Sequence, residues 1–123
     1  MKYYTITIND KDYNLRMKSA DIAEIEKKYN LSIQEFVTKA SFENCATLLR
    51  YLRKTSENNY SITEAHSFVD ELIDNGYSLE TIYTEIIFPA CVESGVLTKD
   101  DLNKIMEAIT EQHNKKISDL QNK

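Results

Sequence analysis

Chain breakers are almost missing from this sequence: Gly76, Gly95 and Pro89 are its only glycines and proline in 123 residues, far below ordinary usage. Backbone that must turn freely or run irregularly relies on these residues. A chain so poor in them has one economical solution: helices joined by short polar caps. Both glycines stand where a helical pattern stops, so each is expected just past a helix C-terminus. Almost everything after Met17 reads as helix, and only the first seventeen residues read as strand.

Lys2 to Ile8 alternates β-branched and aromatic residues with polar ones. Asn9-Asp10-Lys11-Asp12 follows, rich in side chains that tolerate turn geometry. Tyr13, Leu15 and Met17 then share one face of a second alternating run. This pattern predicts a β-hairpin. An isolated hairpin is marginal in water. It must lie on the helices or pair with another strand, which a second copy in a homo-oligomer could supply.

The helices announce their own ends. Ser19 is expected to cap a helix running to Tyr29, with Ile22, Ile25 and Tyr29 as its apolar stripe and Asn30 as its left-handed stop. Ser32-Ile33-Gln34-Glu35 reads as a capping box before Ile33, Phe36, Val37 and Ala40. Ser41 restarts the chain, and Phe42, Cys45, Leu49 and Leu52 recur at helical spacing. Lys54–Tyr60 is the longest polar stretch and reads as a loop. Ser61 or Thr63 caps the next helix, whose inner face is Ala65, Phe68, Val69, Leu72 and Ile73, ending at Gly76. Ser78 opens another, with Leu79, Ile82, Tyr83, Ile86 and Ile87 inward. Pro89 should kink or break it near Ile87–Phe88. Thr98-Lys99-Asp100-Asp101 resembles a capping box with Asp in the Glu position. It precedes Leu102, Ile105, Met106 and Ile109. The expected organisation is one α+β, mostly α domain. Its parts are a hairpin over 1–17, a core of five or six helices over 19–109, and a polar C-terminal tail over 110–123.

Chemistry-bearing patterns are scarce. His66 and His113 lie far apart, and no His/Cys cluster has metal-ligand spacing. There is no glycine-rich phosphate loop and no local nucleophile signature. Adjacent Asp100 and Asp101 point to different helix faces and suit a helix N-terminus better than paired acid catalysis. No catalytic residue, cofactor or metal is expected. Cys45 and Cys91 each sit in an apolar run and read as buried free thiols. No apolar stretch is long enough to span a bilayer and no signal peptide opens the chain, so the expected location is the cytoplasm, with no membrane contact.

Charge is uneven. The net value is −5, yet residues 64–101 carry nine carboxylates against Lys99 alone. Such a middle repels a phosphate backbone and attracts a basic partner. The basic runs Lys27-Lys28 and Arg50-x-x-Arg53-Lys54 are short and offset by acids, so nucleic acid is not an expected partner. Asp70, Glu71 and Asp74 are the acidic candidates for partner binding. Leu102, Ile105, Met106 and Ile109 are the apolar ones, unless that stripe completes the core. Eight tyrosines add rings with polar tips, which suit either a wet interface or the roof of a small core.

The run Ile6-Thr7-Ile8-Asn9-Asp10-Lys11-Asp12-Tyr13-Asn14-Leu15-Arg16 resembles the opening hairpin of the tail assembly chaperones of long-tailed bacteriophages and prophages of Gram-positive hosts. Ala23-Glu24-Ile25-Glu26-Lys27-Lys28 is similar to that family's first helix, with Asn30 where the family often has Gly. Leu48-Leu49-Arg50-Tyr51-Leu52, the helix Thr63–Asn75 and the run to Gly95 follow the same order of elements. The resemblance implies a non-catalytic chaperone of virion assembly. It would bind the long helical tape measure protein, keep it soluble and recruit tail tube protein subunits. The residues alone leave a second expectation open: a small acidic adaptor, antitoxin-like or anti-repressor-like, that masks a basic protein.

Overall fold

The computed structural model describes residues 2–54 and 59–108. Strand β1 (Tyr4–Ile8) pairs antiparallel with β2 (Lys11–Leu15), in the register Tyr4↔Leu15 to Ile8↔Lys11. The turn is tighter than the four-residue polar cluster. Only Asn9 and Asp10 lie outside the ladder, with φ of 52° and 65°. Positive φ at both central residues is the geometry that matches strand twist, and Asn and Asp tolerate it. Alternation sorts the two faces. Ile6, Ile8, Tyr13 and Leu15 are buried. On the outer face, the Thr5 hydroxyl donates to Asn14 Oδ1 at 2.8 Å and the Thr7 hydroxyl to Asp12 Oδ1 at 2.6 Å. Both are cross-strand partners, so side chains reinforce the register.

Six helical segments follow among the described residues. They are α1 (Ser19–Tyr29), α2 (Ile33–Thr38), α3 (Phe42–Lys54), α4 (Ile62–Asp74), a continuous run over 79–93, and the stretch 99–108. The 79–93 run comprises α5 (Leu79–Ile82), a π-helical turn (Tyr83–Ile87) and α6 (Phe88–Glu93). The expected α+β, mostly α fold is therefore present. Eight of the thirteen residues of α3 are buried, so α3 is the pillar that the hairpin and the other helices surround. Cys45, Ala46, Leu48, Leu49 and Leu52 are wholly inaccessible. Each leucine stabilises by about 2–3 kcal/mol through the apolar surface it removes from water.

The hairpin rests on the helices. Arg16 N–H donates to the Leu52 carbonyl at 2.9 Å, satisfying an acceptor in the last turn of α3 that has no intrahelical donor. Met17 N–H donates to Ser94 Oγ at 3.0 Å, and Ser94 Oγ donates onward to the Ala90 carbonyl at 2.8 Å. Tyr13 packs on Phe68 of α4 with ring centroids 4.9 Å apart.

Caps behave largely as their residues dictate. Ser32, Ser61 and Ser78 each accept from the backbone N–H three residues on, and Ser61 rather than Thr63 is the cap of α4. The α1 cap falls on Lys18, one residue before the expected Ser19, because Asp21 supplies the bond by accepting from Lys18 N–H at 3.2 Å. Asn30 is left-handed with φ 53°. Gly76 and Gly95 have φ of 96° and 79°. Tyr77 N–H bonds the Leu72 carbonyl at 3.1 Å and Gly76 N–H the Ile73 carbonyl at 3.0 Å. Val96 and Gly95 repeat the pair on Cys91 and Val92. Both helices thus end in the reciprocal motif that needs a left-handed residue.

Gly76 isolates the backbone term cleanly, since a Cβ built there meets nothing within 4 Å. Gly76→Val is expected to cost about 1–2 kcal/mol, the strain of a branched residue in the left-handed region. Urea melts of the two proteins measure it, and coincident curves would refute it.

Pro89 does not break its helix. Phe88 N–H reaches back to the Tyr83 carbonyl, one residue beyond the α-helical partner, and the wider turn absorbs the ring. Pro89 has no N–H to offer the Glu85 carbonyl. The Tyr4 hydroxyl donates to that oxygen instead, at 2.9 Å, tying β1 to the π turn. Three apolar residues also depart from their expected inward positions. Phe42 and Ile73 are exposed at 52% and 40%, and Ala40 is exposed as well. They stand at or beside helix ends, where the last turn overhangs the core.

Candidate interaction surface

Helical geometry divides the acidic residues of α4 between two edges. Residues three, four or seven apart share a face, so Glu64, Ser67 and Glu71 line one edge while Ile62, His66 and Asp70 line the other. Asp70 and Asp74 are exposed, and Glu71 is half-buried. Asp70 and Glu71 therefore stand on different edges, with Asp74, four residues from Asp70 and three from Glu71, between them. Asp70 and Asp74 offer charge to solvent, whereas Glu71 stands at the mouth of a cleft of about 310 Å³ with Lys11, Glu64 and Ser67.

The floor of that cleft holds a group that sequence reasoning missed. Arg53 is only 8% exposed. Its guanidinium carbon lies 4.6 Å from the Tyr13 ring centre, 4.3 Å from Tyr60 and 4.7 Å from Phe68. Its Nη1 donates to the Tyr60 hydroxyl at 2.7 Å, and that hydroxyl donates to the Glu64 carbonyl at 3.1 Å. A buried cation is costly unless paired or stacked. Here three π faces from β2, the segment before α4, and α4 itself stabilise it. In sequence, Arg53 sits in a polar, basic run and reads as solvated. No local spacing signals a cage assembled from positions 13, 53, 60 and 68.

The C-terminal stripe is divided too. Ile105 is buried at 8% and Leu102 packs against the core cluster, while Met106 is 37% exposed. The first two complete the core, one of the two roles left open for the stripe, and Met106 alone of the described three faces solvent. Ile109 and the 110–123 tail lie outside the described residues, as does His113. The segment is capped as anticipated: Asp101 N–H donates to Thr98 Oγ1 and Thr98 N–H to Asp101 Oδ2, both at 3.0 Å.

That backbone donor, seconded by the Thr98 hydroxyl, holds the Asp101 carboxyl below its ordinary pKa. A depressed carboxyl contributes stability that is present above the unfolded value and lost as pH falls through the folded one. Helical chemical shifts over 99–104 are therefore expected to weaken as pH drops below about 4. In Asp101→Asn, that acid-dependent change should vanish. An identical titration in both proteins would exclude the cap as its source.

The tyrosines mostly roof the core. Tyr13, Tyr51, Tyr60 and Tyr83 are buried, and burial raises the Tyr83 hydroxyl pKa, with smaller contributions from Cys45 and Cys91. Cys45 and Cys91 are free and buried. Burial pushes both thiols up to about 12, which leaves negligible thiolate at neutral pH. Among the described residues, no three His, Cys, Asp or Glu side chains gather to hold a metal ion, and no helix is long and apolar enough to cross a membrane. The sequence matches no protein-family model, and comparison with curated proteins and with solved structures finds no similar protein.

Proposed function

We propose that this chain is a non-catalytic tail assembly chaperone that works in the host cytoplasm. In this reading it binds the tape measure protein, a long helical client, and brings tail tube subunits to it. The observation that carries the reading is the docked hairpin. The segment that resembles the family's opening, Ile6 to Arg16, is a β-hairpin whose Tyr13 and Leu15 are buried while Arg16 N–H bonds the end of α3. The motif therefore serves as an anchor for a helical body, in the element order that the resemblance implies. The exposed Asp70 and Asp74 support the binding step, because opposed charge steers a Lys/Arg-rich helix onto α4.

Co-expression tests the proposal. The chain is produced with each product of its neighbouring reading frames, and any long helical client among them is measured in the soluble fraction. The client is expected to stay soluble and co-purify with the unaltered chain, and to lose most of that solubility with Asp70→Lys/Asp74→Lys. Equal client solubility with and without the chain overturns the proposal. So does selective capture of a short basic regulator in place of the long helix, which identifies a masking adaptor.

A further inference from the structure

The two edges of the hairpin differ. With Asn9 and Asp10 as the turn, the pairs Ile8↔Lys11, Ile6↔Tyr13 and Tyr4↔Leu15 exchange backbone hydrogen bonds. Thr7↔Asp12 and Thr5↔Asn14 alternate with them, so their N–H and C=O groups point away from the ladder. The edge of β2 runs onto α3, where Arg16 N–H meets the Leu52 carbonyl. The edge of β1 has no such partner. Among the described residues, neither the N–H nor the C=O of Thr5 or Thr7 enters a backbone hydrogen bond outside the hairpin, and no side chain bonds them. Such groups need water or another strand. Composition also guards one edge and leaves the other open. Proteins keep exposed edges from pairing by charge, proline or bulges. β2 carries Lys11 and Asp12, whereas Tyr3 to Ile8 holds no charge, proline or glycine in a chain that is 28% charged. The register of β1 contains no bulge.

We infer that β1 pairs antiparallel with β1 of a second copy, joining both hairpins into one sheet across a two-fold axis at Ile6. The backbone sets this register. Thr5 and Thr7 carry the outward groups, so Thr5 stands opposite the second copy's Thr7 and the pair exchanges both bonds. A shift of two residues either way moves one threonine opposite a residue outside β1. Threonine beside threonine is a favourable cross-strand pair. The same register sets Lys2 opposite the second copy's Asp10, and both are exposed. Arg16 Nη1 donates to the Lys2 carbonyl at 2.8 Å, which adds positive charge at that end. Opposite charges thus meet at both ends of the joint. The Tyr3 ring, 36% exposed, lies diagonal to the second copy's Thr7 on the outer face. A strand from another protein would have to reproduce each match, whereas a second copy supplies every one twice by symmetry. The pairing uses neither the acidic face of α4 nor the Arg53 cleft, so it stands apart from any client.

Sedimentation of the whole chain over a concentration series tests this, with amide hydrogen exchange followed by NMR on the same samples. The mass is expected to approach twice the monomer value as concentration rises. Thr5 and Thr7 amides should gain protection over the same range, while Ile6 and Ile8 are protected throughout. Thr5→Lys/Thr7→Lys sets like charges opposite each other only in the dimer, because both side chains face solvent in the single chain. It should weaken association about tenfold or more, with a spectrum otherwise unchanged. Lys2→Glu should weaken it about fivefold, an effect that shrinks in high salt. A mass that stays monomeric overturns the proposal. So does protection of Thr5 and Thr7 that ignores concentration, or a dimer unaltered by Thr5→Lys/Thr7→Lys. Protection gained at Asp12 instead places the contact on the edge of β2 and overturns it too. The exchange series on the unaltered chain decides the matter even if the double variant does not fold.

Discussion

Arg53→Ala should lower the unfolding free energy by about 3 kcal/mol, the combined scale of a desolvated cation–π cage and a charge-assisted hydrogen bond. The reason is the number of elements this one side chain joins. Its guanidinium touches rings from β2, from the segment entering α4, and from α4. Truncation removes those contacts together and takes from the Tyr60 hydroxyl its 2.7 Å donor. It also opens a void beneath the cleft that these rings cannot easily close. Arg53→Lys should recover less than half the loss, because a point-like ammonium cannot lie flat among the rings while bonding the Tyr60 oxygen. Urea denaturation with an unchanged slope would measure it. A change below about 0.5 kcal/mol in Arg53→Ala would mean the residue behaves as an ordinary surface side chain.

Ile105→Asp is the second large effect, at about 3 kcal/mol or more, since a carboxylate would replace a side chain that faces the core. Ile105 is buried in the same cluster as Leu97 and the α3 leucines. An aspartate there must either drag water inward or release the helical stretch from the body. Met106→Asp, one position on, should change stability by about 0.5 kcal/mol or less because that side chain is substantially exposed. Hydrogen exchange over 97–108 separates the outcomes. Faster exchange in Ile105→Asp with little change in Met106→Asp identifies the first as core and the second as surface. Equal tolerance of both substitutions would return the whole stripe to the role of a partner face.

How much was legible follows from the range of the forces involved. The hairpin turn, the capping serines and the two left-handed glycines are set by residues within a few positions of each other. Asn9-Asp10 selects its turn by tolerating positive φ, and Ser78 finds Thr81 three residues away. The helical stripes were readable for the same reason, since period alone predicts Phe68, Val69 and Leu72 as inward. Period could not say where an amphipathic face runs off the edge of the core. Phe42 and Ile73 carry the right spacing and still face solvent. Pro89 shows a subtler outcome. Its local rule predicts a kink or break near Ile87–Phe88; the α-helical pattern does give way there, but to a π turn that, together with the Tyr4 hydroxyl on the Glu85 carbonyl, keeps the run helical.

The candidate surface was legible only in its charge. Asp70, Glu71 and Asp74 are neighbours in sequence, yet α4 turns Glu71 toward a cleft and the two aspartates toward solvent. Lys28 and Arg50 are strangers in sequence and share a groove.

By itself the sequence determined the elements: where strand gives way to helix, where most of the helices start and stop to within a residue or two, and which sign of charge dominates the middle. Those choices are made by backbone preferences and hydrogen bonds that close within one turn. Tertiary structure alone decided which side chains became core, cage or groove wall. Burying Arg53 requires rings from three places at once, and only the packed chain brings distant surfaces close enough for that stabilisation to exceed the cost of removing a charge from water.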